Sequence, residues 1–203
     1  MSVTTLHNYF FDSTDYNSTT ISDQISTNSV DLTANSSNKV SWSTDDPFND
    51  SDIYSLNYNG NQNLNQSFKG TLSSSITGNF SLALWIKPDG NMDENEAFFS
   101  SDDSRNNNNF QIGAINDNTN TIHVVVKNGN NTSFEIGDYT TGSWNHIAIT
   151  CENPGTSNVQ LKTYLNYNSS TGNTTNTYTP SSGDPGSGNI ASYGFNIDKL
   201  ILG

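Results

Sequence analysis

The chain has one cysteine, Cys151, so it can form no internal disulfide, and a small secreted scaffold held by disulfides is excluded. Cys151 alternates with Ile147 and Ile149 in "HIAITC", the setting of a buried small hydrophobe rather than of a nucleophile. Positive charge is equally scarce. Seven Lys plus Arg stand against twenty Asp plus Glu, a net charge of -13 with a pI near 4.1. Such a chain cannot neutralise a phosphate backbone, and nucleic acid and anionic membranes are excluded as partners. No apolar run is long enough to cross a bilayer, and the opening "MSVTTLHNYFF" has neither a basic n-region nor an apolar h-region, so no membrane insertion and no signal peptide of its own are expected. Helical periodicity is almost missing too.

What is present is aromatic and polar. The hydrophobic fraction is only 31% and the mean hydropathy is -0.63, yet ten Phe, nine Tyr and three Trp fall inside alternating segments, which a disordered chain would not show. Asn, Ser and Thr make up about two fifths of the residues, so the exposed positions are mostly neutral hydrogen-bonding groups suited to polar, uncharged partners. A length of 203 residues fits one domain spanning 1–203.

Runs of period two recur between clusters of Asn, Gly, Ser and Asp, the pattern of strands joined by polar turns. Strands are expected near 4–11, 29–33, 38–43, 53–58, 62–68, 79–88, 96–101, 109–116, 120–127, 132–138, 144–152, 158–166, 174–179 and 193–202. Asn128-Gly129 suits a tight turn and predicts a hairpin of 120–127 with 132–138. Pro and Gly mark loops at 43–52 and 180–189. The architecture these features predict is an all-β sandwich of antiparallel strands.

Four segments carry a family likeness: "YSLNYNGNQNL" (54–64), "GNFSLALWIKP" (78–88), "GSWNHIAIT" (142–150) followed by "VQLKTYLNY" (159–167), and "FNIDKLILG" (195–203). Together they resemble the laminin-G-like modules of the concanavalin A-like lectin and glucanase superfamily. The resemblance implies a two-sheet antiparallel jelly roll. It also implies that Ca²⁺ could be held at the sandwich rim by Asp, Asn and carbonyl oxygens. The acidic loops offering such ligands are "DGNMDENE" (Asp89, Asp93, Glu94, Glu96) with Asp102 and Asp103 nearby, and "DDPFNDSD" (Asp45, Asp46, Asp50, Asp52).

Catalytic chemistry is not visible. The superfamily's glucanases carry E-x-D-x-x-E-like spacing on one strand, placing alternate carboxylates beside the scissile bond, and no strand here has it. There is no G-x-S-x-G elbow, and the three His (His7, His123, His146) show no zinc spacing. The expectation is a non-enzyme.

Alternation then sorts the strands into faces. With Phe80, Leu82, Leu84 and Ile86 in the core, Trp85 and Lys87 point out. Likewise Trp144, His146 and Thr150 point out from 144–152, Lys162, Tyr164 and Asn166 from 158–166, and His123 and Lys127 from 120–127. Aromatic and hydrogen-bonding side chains together are what sugar rings need for stacking and polar contacts. The candidate glycan-binding set is therefore Trp85, Lys87, His123, Trp144, His146 and Tyr164. The function this predicts is a lectin-like adhesion module, outside a cell or on a virion surface, with cell-surface or environmental glycans or the capsid or tail proteins of a particle as partners. The competing expectation is a purely structural decoration or fibre protein.

Overall fold

The stretch Phe80–Ile86 forms a strand in the computed structural model of the chain, and its burial alternates just as its sequence does. The structure describes residues 7–9, 11–15, 18–25, 29–34, 40–58, 67–94, 96–101, 107–128, 130–153, 160–166, 176–178 and 197–202. Among these the regular elements are all strands, and no helix long and apolar enough to cross a membrane occurs. They fall into two compact units, Met1–Ser74 with Lys199–Gly203, and Ser75–Asp198.

In the first unit β1 (Thr20–Ile21) pairs with β2 (Leu32–Ala34), and β2 pairs with β5 (Phe68–Ile76), both antiparallel, while β3 (Val40–Ser43) and β4 (Ser55–Tyr58) make a separate two-stranded ribbon. Two sequence expectations are corrected here. A strand at 4–11 is not seen in residues 7–9 and 11. Instead the Asp23 carboxylate gathers this segment, accepting hydrogen bonds from His7 Nδ1 at 2.7 Å and from the backbone N–H of Asn8 and Val30 at 3.1 Å each. The strand expected at 62–68 begins at Phe68 and runs on through "GTLSSSI", residues 62–66 lying outside the described residues. Its apolar alternation is Phe68, Gly70, Leu72, and the glycine conceals it. A methyl group on Gly70 would stand 2.6 Å from Val30 Cγ1 and 3.0 Å from the Asp31 carbonyl, so the close approach of the neighbouring chain requires glycine there. The 43–52 loop is built on Asp46, which is buried and accepts the N–H of Phe48 at 2.7 Å and of Asp50 at 3.1 Å.

The second unit contains β6 (Phe80–Ile86), β7 (Ala97–Ser100), β8 (Asn107–Gly113), β9 (Thr121–Asn128), β10 (Asn130–Asp138), β11 (Asn145–Glu152), β12 (Gln160–Leu165) and β13 (Asn176–Tyr178). The last strand, β14 (Ile197–Leu202), leads into the C-terminal part of the first unit. Within the second unit β7-β8-β9-β10 form one antiparallel array and β6-β11-β12-β13 form a four-stranded sheet. The expected hairpin is present, with Asn130 opposite Asn128 and Asp138 opposite Thr121. The two arrays meet through aromatic edges: Phe80 on β6 lies 5.4 Å from Phe110 on β8, centroid to centroid at 85°, and Phe110 meets Phe99 at 6.2 Å. Behind them Ile147, Ile149, Cys151 and Leu161 face Ile112, Ile122, Val124 and Ile136, all almost fully buried. Each such aliphatic side chain contributes about 1.5–3 kcal/mol through loss of water contact. The antiparallel two-layer sandwich expected from the sequence is thus the observed fold class. Burial also pushes the Cys151 thiol up to about 12, which keeps it protonated.

Candidate functional site on the open face of the four-stranded sheet

Because β6, β11 and β12 bury their even-spaced apolar side chains, the remaining ones stand together on the opposite face, and strand register arranges them in rows. Trp85 is opposite His146; Ala83 is opposite Ala148, which is opposite Tyr164; Ser81 is opposite Thr150, which is opposite Lys162. Rows two residues apart on a strand are separated by about 7 Å. An aromatic row therefore borders a middle row of two alanines and Tyr164, with hydroxyls and an ammonium on the far side.

Trp85 is 42% exposed, one of two large exposed hydrophobic side chains among the described residues. The other, Phe48, lies on the 43–52 loop of the first unit. The Trp85 indole meets the His146 imidazole with centroids 4.8 Å apart and planes tilted at 50°. His146 is half-buried, and desolvation lowers its pKa, so the ring is neutral at pH 7 and keeps one donor and one acceptor.

An asparagine pair fixes this corner. Asn145 is fully buried; its Nδ2 donates to the carbonyls of Thr140 at 3.0 Å and Ser143 at 2.7 Å, and its Oδ1 accepts from Thr140 N–H at 3.1 Å and Asn166 Nδ2 at 2.9 Å. Asn166, at φ 50°, accepts the His146 N–H on its Oδ1 at 2.8 Å and donates its own N–H to the His146 carbonyl, also at 2.8 Å. All four hydrogen-bonding sites of the buried amide are used, which fixes where β11 starts and which way His146 points.

Of the other residues expected to bind glycan, Lys87 is exposed just beyond β6 and Trp144 is half-buried just ahead of β11, at the same end of the sheet as Trp85 and His146. His123 does not join them. It lies on β9, in the other array, and is only 8% exposed. Val125 on the same side of β9 is buried as well, as are Ile122, Val124 and Val126 on the other side, so β9 is covered on both faces. Desolvation depresses the His123 pKa against the pull of Glu135 and Asp138. Lys127 has no described side chain.

Three of the expected metal ligands lie on the loop that follows β6. Asp89, Asp93 and Glu94 are exposed, and Asp102 and Asp103 lie outside the described residues. The loop is tied by Glu96, whose Oε2 accepts the Asp93 N–H at 2.9 Å, by Asp117 accepting the Glu94 N–H at 2.9 Å, and by Met92, buried and bridged to Thr119. Among the described residues no group of three His, Cys, Asp or Glu side chains stands close enough together to hold an ion. On its described strands the open face carries one carboxylate, Glu152.

A laminin-G-type family model, described as the Concanavalin A-like lectin/glucanases superfamily, matches residues 59–191. No curated protein matches the chain.

Proposed function

Since the chain belongs to the concanavalin A-like lectin/glucanases superfamily, we propose that it is a non-catalytic recognition module that binds glycans on the open face of its four-stranded sheet. One observation carries the reading: Trp85 is left 42% exposed on a face where its neighbours are hydrogen-bonding or small. A tryptophan ring held against His146 and left partly exposed offers a flat apolar surface on which the face of a sugar ring can stack. The alanine floor beside it leaves room for a ring to lie flat. An exterior rich in hydrogen-bonding Asn, Ser and Thr supports the same reading, of a module displayed on a cell or particle surface.

The test is a glycan array probed with the wild type and with Trp85→Ala, in calcium and in chelator. We expect wild-type binding under both conditions, because the face has no acidic cluster, and a loss of about 1–3 kcal/mol in the variant, the range of aromatic stacking on planar ligands. A wild type that binds no glycan would leave the structural decoration protein as the better reading.

A further inference from the structure

The far row of the same face points to the class of glycan. Lys162 lies opposite Thr150, which lies opposite Ser81, so an ammonium and two hydroxyls cross the sheet in one line. Among the described residues no carboxylate lies within 4.0 Å of the Lys162 ammonium, in a chain where twenty Asp plus Glu outnumber seven Lys plus Arg. The one carboxylate on the described strands of this face, Glu152, lies a further row along and opposite Gln160. From Trp85 to Ser81 is four residues of β6, about 13 Å, and the row between them is Ala83, Ala148 and, on β12 next to Lys162's side of the sheet, Tyr164. A ligand stacked on Trp85 and lying over the alanines would bring its next units to the ammonium.

Resting on the glycan reading, we infer that the face takes an acidic oligosaccharide, with its uncharged ring against Trp85 and His146 and a carboxylate or sulfate at Lys162, Thr150 and Ser81. Lysine serves as a point charge with three donors, and the flanking hydroxyls supply donors that adapt to either oxyanion geometry. The strongly acidic remainder of the molecule makes this local cation a selector: it compensates at one place the repulsion that an anionic glycan meets elsewhere.

The experiment measures Kd for matched pairs on the same backbone, tetragalacturonate against its full methyl ester and 3′-sialyllactose against lactose, with wild type, Lys162→Met, Lys162→Arg and Trp85→Ala. We expect the acidic member of at least one pair to bind roughly three- to tenfold more tightly, the scale of a charge-assisted hydrogen bond at a partly exposed site. Lys162→Met should erase that preference without moving the melting temperature, and Lys162→Arg should keep it. Trp85→Ala should weaken both members together. Equal affinities in the wild type, or a preference that survives Lys162→Met, would overturn the inference while leaving the glycan face standing. If the array finds no glycan at all, the underlying reading falls and this inference with it.

Discussion

A single missing methyl group separates two kinds of glycine in this chain. Gly113, at the end of β8, sits where the bulge between Ala97 and Phe99 brings β7 across it; a methyl there would run into the Glu96 carbonyl oxygen and stand 2.8 Å from Ala97 Cα. Gly113→Ala should therefore cost roughly 1–3 kcal/mol through forced backbone movement. Gly78→Ala meets nothing within 4 Å and should be neutral or stabilise by about 0.4–1 kcal/mol. Urea melts of the two variants check both expectations, and equal effects would contradict the packing around Gly113. Asn145 is the residue on which the site's geometry depends most. Asn145→Ala removes a fully buried amide together with its hydrogen bonds to the Thr140 and Ser143 backbone and should cost about 1–3 kcal/mol, with an altered His146 ring signal by NMR. An unchanged imidazole resonance would show that His146 is positioned by other means.

At the level of strands, legibility followed alternation. β6 and β11 carry strict period-two patterns with apolar residues large enough to see, and both faces came out as the sequence reads them. β5 was hidden because a glycine takes an inward position, and the aspartate-centred turns of the first unit give no periodic signal at all. β9 was misread for the opposite reason: "TIHVVVK" is a continuous apolar run, the mark of a strand covered on both sides, and treating it as half-wet placed His123 on the surface. That burial has a consequence in pH. The unfolded chain binds a proton on His123 near pH 6.5, while the folded protein resists it because desolvation depresses the folded pKa. Stability from this group is complete above pH 6.5 and is lost as pH falls from there toward the folded value. The melting temperature should drop between pH 7.5 and 5.5, and the drop should be smaller in His123→Gln. A variant that loses as much as the wild type would mean that His123 is protonated freely in the fold.

For the molecule as a whole, composition set the limits and register supplied the site. Scarce cationic charge argues against nucleic acid as a partner, and the Asn, Ser and Thr excess points to a hydrogen-bonding exterior, but neither could say which outward residues share a surface. Alternation assigns a residue to a face; only pairing places Trp85 next to His146 and separates both from His123. Lys162 was legible as outward but not as the end of a row that begins at Ser81. The central claim is that the ligand lies on this row system. Its most direct test is one ¹⁵N-edited NMR titration with the best array glycan, followed at the three tryptophan indole N–H signals of Trp42, Trp85 and Trp144. With the ligand there, the Trp85 indole and the amides of Ala83 and Ala148 shift in proportion to occupancy while the Trp42 indole and the amides of β9 stay in place. A Trp85 signal that does not move while β9 or Trp42 does would contradict it.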